Sequence, residues 1–152
     1  MKEIRICPIE ELDIPGVHVR LPGDVDVYEE SYLRWHGTRL QLEMKNTLVA
    51  GGVLKVWRHQ PVFQKLEYHD DREKFVFLQG NVIMPFADVK DGMIVESSLQ
   101  YARIQAGTEI IIEDGKAHFM PVADDTDCAL AMVICTDMPY YHVFLKEPVY
   151  GV

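Results

Sequence analysis

The chain has 152 residues, 48% of them hydrophobic, which is enough for one sizeable core and too little for a second full domain. Its 24 acidic residues outnumber 15 basic ones for a formal net charge of -9. That balance argues against a nucleic-acid backbone or an anionic membrane as partner and requires a local basic group for any small anionic substrate. Cys7, Cys128 and Cys135 are odd in number and lack metal-pair spacing, and the start Met1-Lys2-Glu3-Ile4-Arg5 has no apolar run. A reduced cytoplasmic protein with free thiols is expected, and no stretch approaches the length of a membrane span.

In chain order, Ile6 to Leu12 reads as a strand entering a single helical turn that Pro15-Gly16 stops. Tyr28 to Met44 mixes aromatic, charged and apolar residues without a period and is assigned to arm strands and loops. From Gly52 onward, short apolar or alternating runs predict antiparallel strands: 53–57, 65–68, 75–78, 81–84, 92–95, 101–104, 109–112, 119–122, 129–134 and 141–144. Gln79-Gly80-Asn81, Asp91-Gly92, Ala106-Gly107 and Asp114-Gly115 punctuate them as turns. Strands so spaced suggest an all-β sandwich or barrel, and a double-stranded β-helix (jelly-roll) barrel, which closes most of the sheet edges, is the expected form, with residues 1–50 as N-terminal arm strands and 51–145 as barrel core. Trp35, Trp57, Phe77, Met84 and Phe86 are expected to pack the barrel or line its mouth. His18, His36 and His142 are read as ordinary surface or core residues.

The chemistry-bearing segment is Glu67-Tyr68-His69, followed by Glu73 and Gly80. A spacing of two on one strand puts Glu67 and His69 on the same face. Inward imidazoles and carboxylates hold a divalent metal or transfer protons. The bland reading is a polar strand end; the run Asp70-Asp71-Arg72-Glu73-Lys74 is taken as a solvated turn apart from Glu73. A second half, Gly107 to Gly115 and then His118, has Glu113 where such patterns carry proline. Together the halves resemble the two motifs of a cupin barrel, with Glu67 in place of the first histidine.

A narrower resemblance, to the ureidoglycolate lyases of the cupin superfamily, runs through Arg58-His59-Gln60-Pro61, Leu66-Glu67-Tyr68-His69, Glu73 to Gly80, Val82 to Ala87 and Leu99 to Gly107. It implies cleavage of a small ureido hydroxy-acid to glyoxylate and urea. In that chemistry Glu67 or Glu73 is the base, His69 or His118 the acid, and Arg58, with Lys55 or Arg103 by strand parity, holds the substrate carboxylate. Glu67, His69, Glu73 and His118 also form a donor set acceptable to zinc, manganese, nickel or iron. The alternatives are a non-catalytic cupin that binds a small molecule and a metal-dependent isomerase or dioxygenase of the same fold. A homodimer is expected through the N-terminal half, where Tyr32, Leu33 and Trp35 offer apolar contact.

Overall fold

Period-two alternation sorts the strands into two facing sheets. The computed structural model describes residues 2–24, 26–37 and 40–152. Its strands are β1 (Lys2–Ile4), β2 (Ile6–Pro8), β3 (Val17–Arg20), β4 (Asp26–Glu30), β5 (Leu33–Gly37), β6 (Val49–Trp57), β7 (Val62–His69) and β8 (Glu73–Gln79). They continue with β9 (Val82–Lys90), β10 (Met93–Ile94), β11 (Gln100–Ile104), β12 (Glu109–Ile112), β13 (Lys116–His118), β14 (Val122–Ala123), β15 (Cys128–Thr136) and β16 (Tyr140–Gly151). One sheet runs β1-β16-β7-β13-β9-β11-β2, with β10 and β14 also paired to β9; the other runs β3-β12-β8-β15-β6; β4 and β5 form a separate hairpin. The jelly-roll expectation is met. Among the described residues, no helix is long and apolar enough to cross a membrane.

Two cores follow from the alternation. Phe75 and Phe77 from one sheet meet Met84, Phe86, Ala102 and Ile104 from the other inside the barrel. The intervening residues Leu66, Ile83, Tyr101 and Ala117 face the opposite way and pack a second cluster with Val143, Leu145 and Val149. Each large apolar side chain so buried contributes roughly 1.5–3 kcal/mol relative to exposure. The buried Tyr101 hydroxyl donates to the Val149 carbonyl at 2.9 Å, and burial pushes its pKa far above the usual phenol value.

Three features depart from the sequence reading. The first strands are not merely an arm: β1 pairs with β16 and β2 with β11, both in parallel, while β3 pairs with β12. Such pairings between distant segments leave no local signature. The 119–122 run is broken, because β13 ends at His118 and β14 begins at Val122. Trp35 and Trp57 are exposed rather than packed, whereas Phe77, Met84 and Phe86 are core residues as expected.

The 70–74 run is likewise more than a solvated turn, since Asp71 and Lys74 are buried along with Glu73. Lys74 Nζ lies 2.8 Å from Glu109 Oε2 and also donates to the Leu40 carbonyl, while Arg20 Nη2 approaches Glu109 Oε1 at 2.5 Å. Asp71 accepts from the backbone N–H groups of Lys45, Asn46 and Arg72 and from the Thr136 hydroxyl. The segment after the hairpin is thereby fastened over the turn that joins β7 to β8.

Burial alone would raise the Asp71 pKa, but those four donors outweigh it and hold the carboxyl below its ordinary value. A depressed folded-state pKa stabilises the fold above the unfolded carboxylate value, near ~3.9, and that contribution fades as pH falls through the folded-state pKa. Asp71→Ala should therefore lower the unfolding free energy at neutral pH by about 1–3 kcal/mol through stranded donors. Denaturant titration should show the difference from the unmutated protein shrinking below about pH 4.

Candidate metal centre

The ends of four strands place the candidate residues. Glu67 and His69 share the inner face of β7, opposite in parity to Leu66 in the outer cluster. Glu67 pairs in register with His118 of β13 on one side and with His142 of β16 on the other, so three functional side chains stand in one row across three strands. Glu73 opens β8 on the facing sheet, with Phe75 and Phe77 continuing its inward face. Gly115, at φ 72°, turns the chain from β12 into β13, and its N–H donates to the His69 carbonyl at 3.0 Å, seating His118 against the end of β7.

The four expected residues converge. Glu67, His69 and His118 each offer a ligand atom within 4.8 Å of the others. Glu73 Oε2 lies 2.8 Å from His118 Nε2 and 3.7 Å from His69 Nε2. The hydrogen bonds on the far side of each ring fix the chemistry. His69 Nδ1 donates to the Pro139 carbonyl at 3.2 Å and His118 Nδ1 to the Lys116 carbonyl at 3.3 Å. With Nδ1 directed at those carbonyls, each ring turns its Nε2 into the cluster, where His118 Nε2 and Glu73 Oε2 share a hydrogen bond of 2.8 Å. Buried His69 Nε2 has no hydrogen-bond partner.

Two imidazole Nε2 atoms, the one on His69 without a hydrogen-bond partner, and two carboxylates therefore meet in a largely buried space. An added proton or cation has to offset that concentration of acceptors. A divalent ion fits on two counts: the donors are nitrogen and oxygen, and a backbone carbonyl orients each ring from behind, as around metal-ligating histidines.

Side-chain exposure rises across the site, from 1% at His118 through 8% at Glu73, 10% at His69 and 13% at Glu67 to 37% at His142. The cluster thus opens past Glu67 toward β16. His142 Nε2 lies 3.6 Å from Glu67 Oε2, so this histidine, read from sequence as an ordinary residue, belongs to the site's rim. Its signal was parity: Tyr140, His142 and Phe144 share one face of β16. Cys135 was also missed. It continues the inward face of Ala129, Ala131 and Val133 on β15, and its thiol pKa is raised, first by burial and then by the nearby Glu73 carboxylate.

The three expected carboxylate-binding cations are not brought to this cluster. Arg58 lines a separate cavity of 420 Å³ with Gln60, Pro61 and Asp124, beside the first residue of β7, whereas His69 is that strand's last. Arg103 is bound to Asp124 at 2.6 Å, at that same far end. Exposed Lys55 sits over the Trp57 ring on the outer face of the five-stranded sheet. Sequence proximity and strand parity did not carry the end-to-end direction of the barrel. His18 is a surface residue paired with Glu113.

No family model matches the sequence, and no curated protein matches it. Solved structures are similar in fold. RmlC from Streptococcus suis in complex with dTDP-D-xylose aligns at a TM-score of 0.54 and 15% identity, over 86% of this chain and 68% of that one. A dTDP-4-dehydrorhamnose 3,5-epimerase from Elizabethkingia anophelis aligns at 0.55 and 13%, over 87% and 76%. The fold is a cupin-type barrel. A dTDP sugar isomerase from Desulfovibrio desulfuricans covers the most of this cupin barrel among the three, 91%, at a TM-score of 0.54 and 10% identity over 85% of its own length. At these identities the likeness speaks to architecture, and the chemistry must be argued from the cluster.

Addition of Zn²⁺ or Mn²⁺ to chelator-treated protein should raise the thermal midpoint, with about 2.7 kcal/mol of added stability at a hundredfold excess over Kd. His69→Ala should lose most of that shift. Scanning calorimetry with and without the ion measures both.

Proposed function

We propose that this cupin barrel is a divalent-metal-dependent isomerase that moves a proton between adjacent carbons of a small, oxygen-rich, anionic substrate. The observation that carries the reading is the buried, unpartnered His69 Nε2 facing the other acceptors. The names of two structural neighbours, an epimerase and an isomerase, lend support. An ion held by Glu67, His69 and His118, with Glu73 as a fourth donor, would act as a Lewis acid on a substrate carbonyl or hydroxyl oxygen. Zinc, manganese, nickel and iron all accept such donors.

Proton movement falls to the accessible side. His142 Nε2, at the rim 3.6 Å from Glu67, takes the proton from the hydroxyl-bearing carbon beside the substrate carbonyl, and the C–H electron pair moves into an enediolate. The hydroxyl proton passes to the former carbonyl oxygen while the hydroxyl oxygen becomes the new carbonyl, and the imidazolium returns its proton to the former carbonyl carbon. A second reading keeps the proton chemistry without the ion: His118 and Glu73, 2.8 Å apart, form an imidazole–carboxylate pair able to act as acid and base. Ureidoglycolate cleavage draws on the same groups. It has lost its expected anchor, however, because Arg58 stands at the other end of β7.

The test is solvent exchange. Metal-loaded protein in D₂O should incorporate deuterium into at least one member of a panel of small hydroxy-ketones and keto-acids, read by mass spectrometry. Exchange should stop with chelator and fall at least 100-fold in His118→Ala. Exchange that survives complete chelation selects the metal-free pair. Oxygen uptake selects a dioxygenase, and urea with glyoxylate released from ureidoglycolate selects the lyase. Metal binding with no turnover of any kind selects a non-catalytic small-molecule-binding cupin.

We further propose a homodimer. The hairpin exposes Tyr28, Tyr32, Leu33 and Trp35, and the edge strand β6 exposes Val49, Val53 and Trp57. Exposed apolar side chains beside an open sheet edge favour pairing with a second copy. Light scattering at micromolar concentration should give twice the chain mass, and Trp35→Glu with Val53→Glu should halve it; a monomeric unmutated protein overturns this assembly.

A further inference from the structure

The outer face of the five-stranded sheet carries a cavity that the isomerase chemistry leaves untouched. Phe75 and Phe77 of β8 point into the barrel, so Val76 and Leu78 point away from it. The β4–β5 hairpin presents Val27 and His36, which pair in register, to the same space, and a cavity of 570 Å³ lies between hairpin and sheet. That is the size of a small-molecule site. Val27 at 56% and Leu78 at 51% exposure leave its apolar walls uncovered, and Pro22 extends them. Glu73 and the metal cluster stand on the other side of β8, so the two sites are separate.

Charge at this cavity is built in. Arg20 and Glu109, both buried, line it from adjacent strands, paired in register on β3 and β12. Arg20 Nη2 reaches one oxygen of the Glu109 carboxylate, and buried Lys74 Nζ reaches the other at 2.8 Å. Two buried cations thus share that one carboxylate. A guanidinium carries five N–H donors. Arg20 Nη1 donates to the Asp24 carbonyl at 2.9 Å and Nη2 to Glu109, while Nε is buried without a partner. A buried cation that is only partly satisfied costs free energy, and an anion brought against it offsets that cost.

We infer that this cavity binds a small amphipathic anion, a carboxylate carried on a hydrocarbon chain, with the carboxylate against Arg20 and the chain along Val27, Val76 and Leu78. His36 adds a ring nitrogen on the hairpin side. Tyr28 and Trp35 pair on the hairpin's other face and stay available for contact between copies. The site depends on neither the metal nor the isomerase reading.

The experiment is calorimetric titration of octanoate, octanol, octylammonium and acetate into the full chain in the presence of chelator. Octanoate should bind about tenfold or more tightly than octanol or octylammonium, and acetate, which lacks the chain, should show no binding. Val27→Glu, which sets a carboxylate over the cavity, should weaken octanoate by about tenfold or more with the circular dichroism spectrum unchanged. Met93→Glu adds the same charge at an exposed position of β10, away from the cavity, and should bind octanoate as the unmutated protein does. Arg20→Gln should bring octanoate down to the affinity of octanol; if that variant does not fold, Val27→Glu decides. No octanoate binding, as when a second copy fills the cavity, equal binding of octanol, or an unchanged affinity in Val27→Glu overturns the site.

Discussion

The crowding of acceptors at one end of the barrel is the interaction on which the rest depends. His69 and His118 each direct Nδ1 to a backbone carbonyl, so both rings turn Nε2 toward Glu73 and Glu67. Neither ring can relieve the crowding by flipping without breaking that bond to the main chain. The barrel supplies the rigidity that maintains the arrangement: Phe75 and Phe77 continue inward from Glu73, and Phe86 stands beside His118 in register on β9. Apolar packing thus holds together polar groups that would separate in water.

Much of this was readable from residues. The same-face spacing of Glu67 and His69, and the two glycine-punctuated half-motifs, pick out all four members of the cluster. Period-two alternation placed a strand at each of β6 to β12, though it stopped six residues short of the end of β9 and began four late on β6. What escaped has a common physical cause. His142 enters the site only through the pairing of β16 with β7, and Cys135 only through the inward face of β15 beside Glu73. Parity alone says which residues share a face, not which face is opposite.

The same limit misplaced the cations. Arg58 lies close in sequence to Glu67, yet the full length of β7 intervenes, and strand direction turns a short sequence interval into the far end of a barrel. The charge run 70–74 misled for another reason. A covering segment from residues 40–46 removes Asp71 and Lys74 from water and satisfies them through backbone groups that no local pattern announces.

The parallel pairing of β1 with β16 also shapes how the molecule comes together. Lys2 lies beside Val149, and the N–H of Val152 donates to Ile4 while its carbonyl accepts from Ile6. Strands that begin and end the sequence are thus laced into one ladder, and the outer cluster cannot close until they meet. Loop closure on that scale places the chain among slow-folding β topologies, on a millisecond-to-second scale. The row of His118, Glu67 and His142 spans three strands of the same sheet, so chemical competence arrives with barrel closure rather than with any earlier fragment.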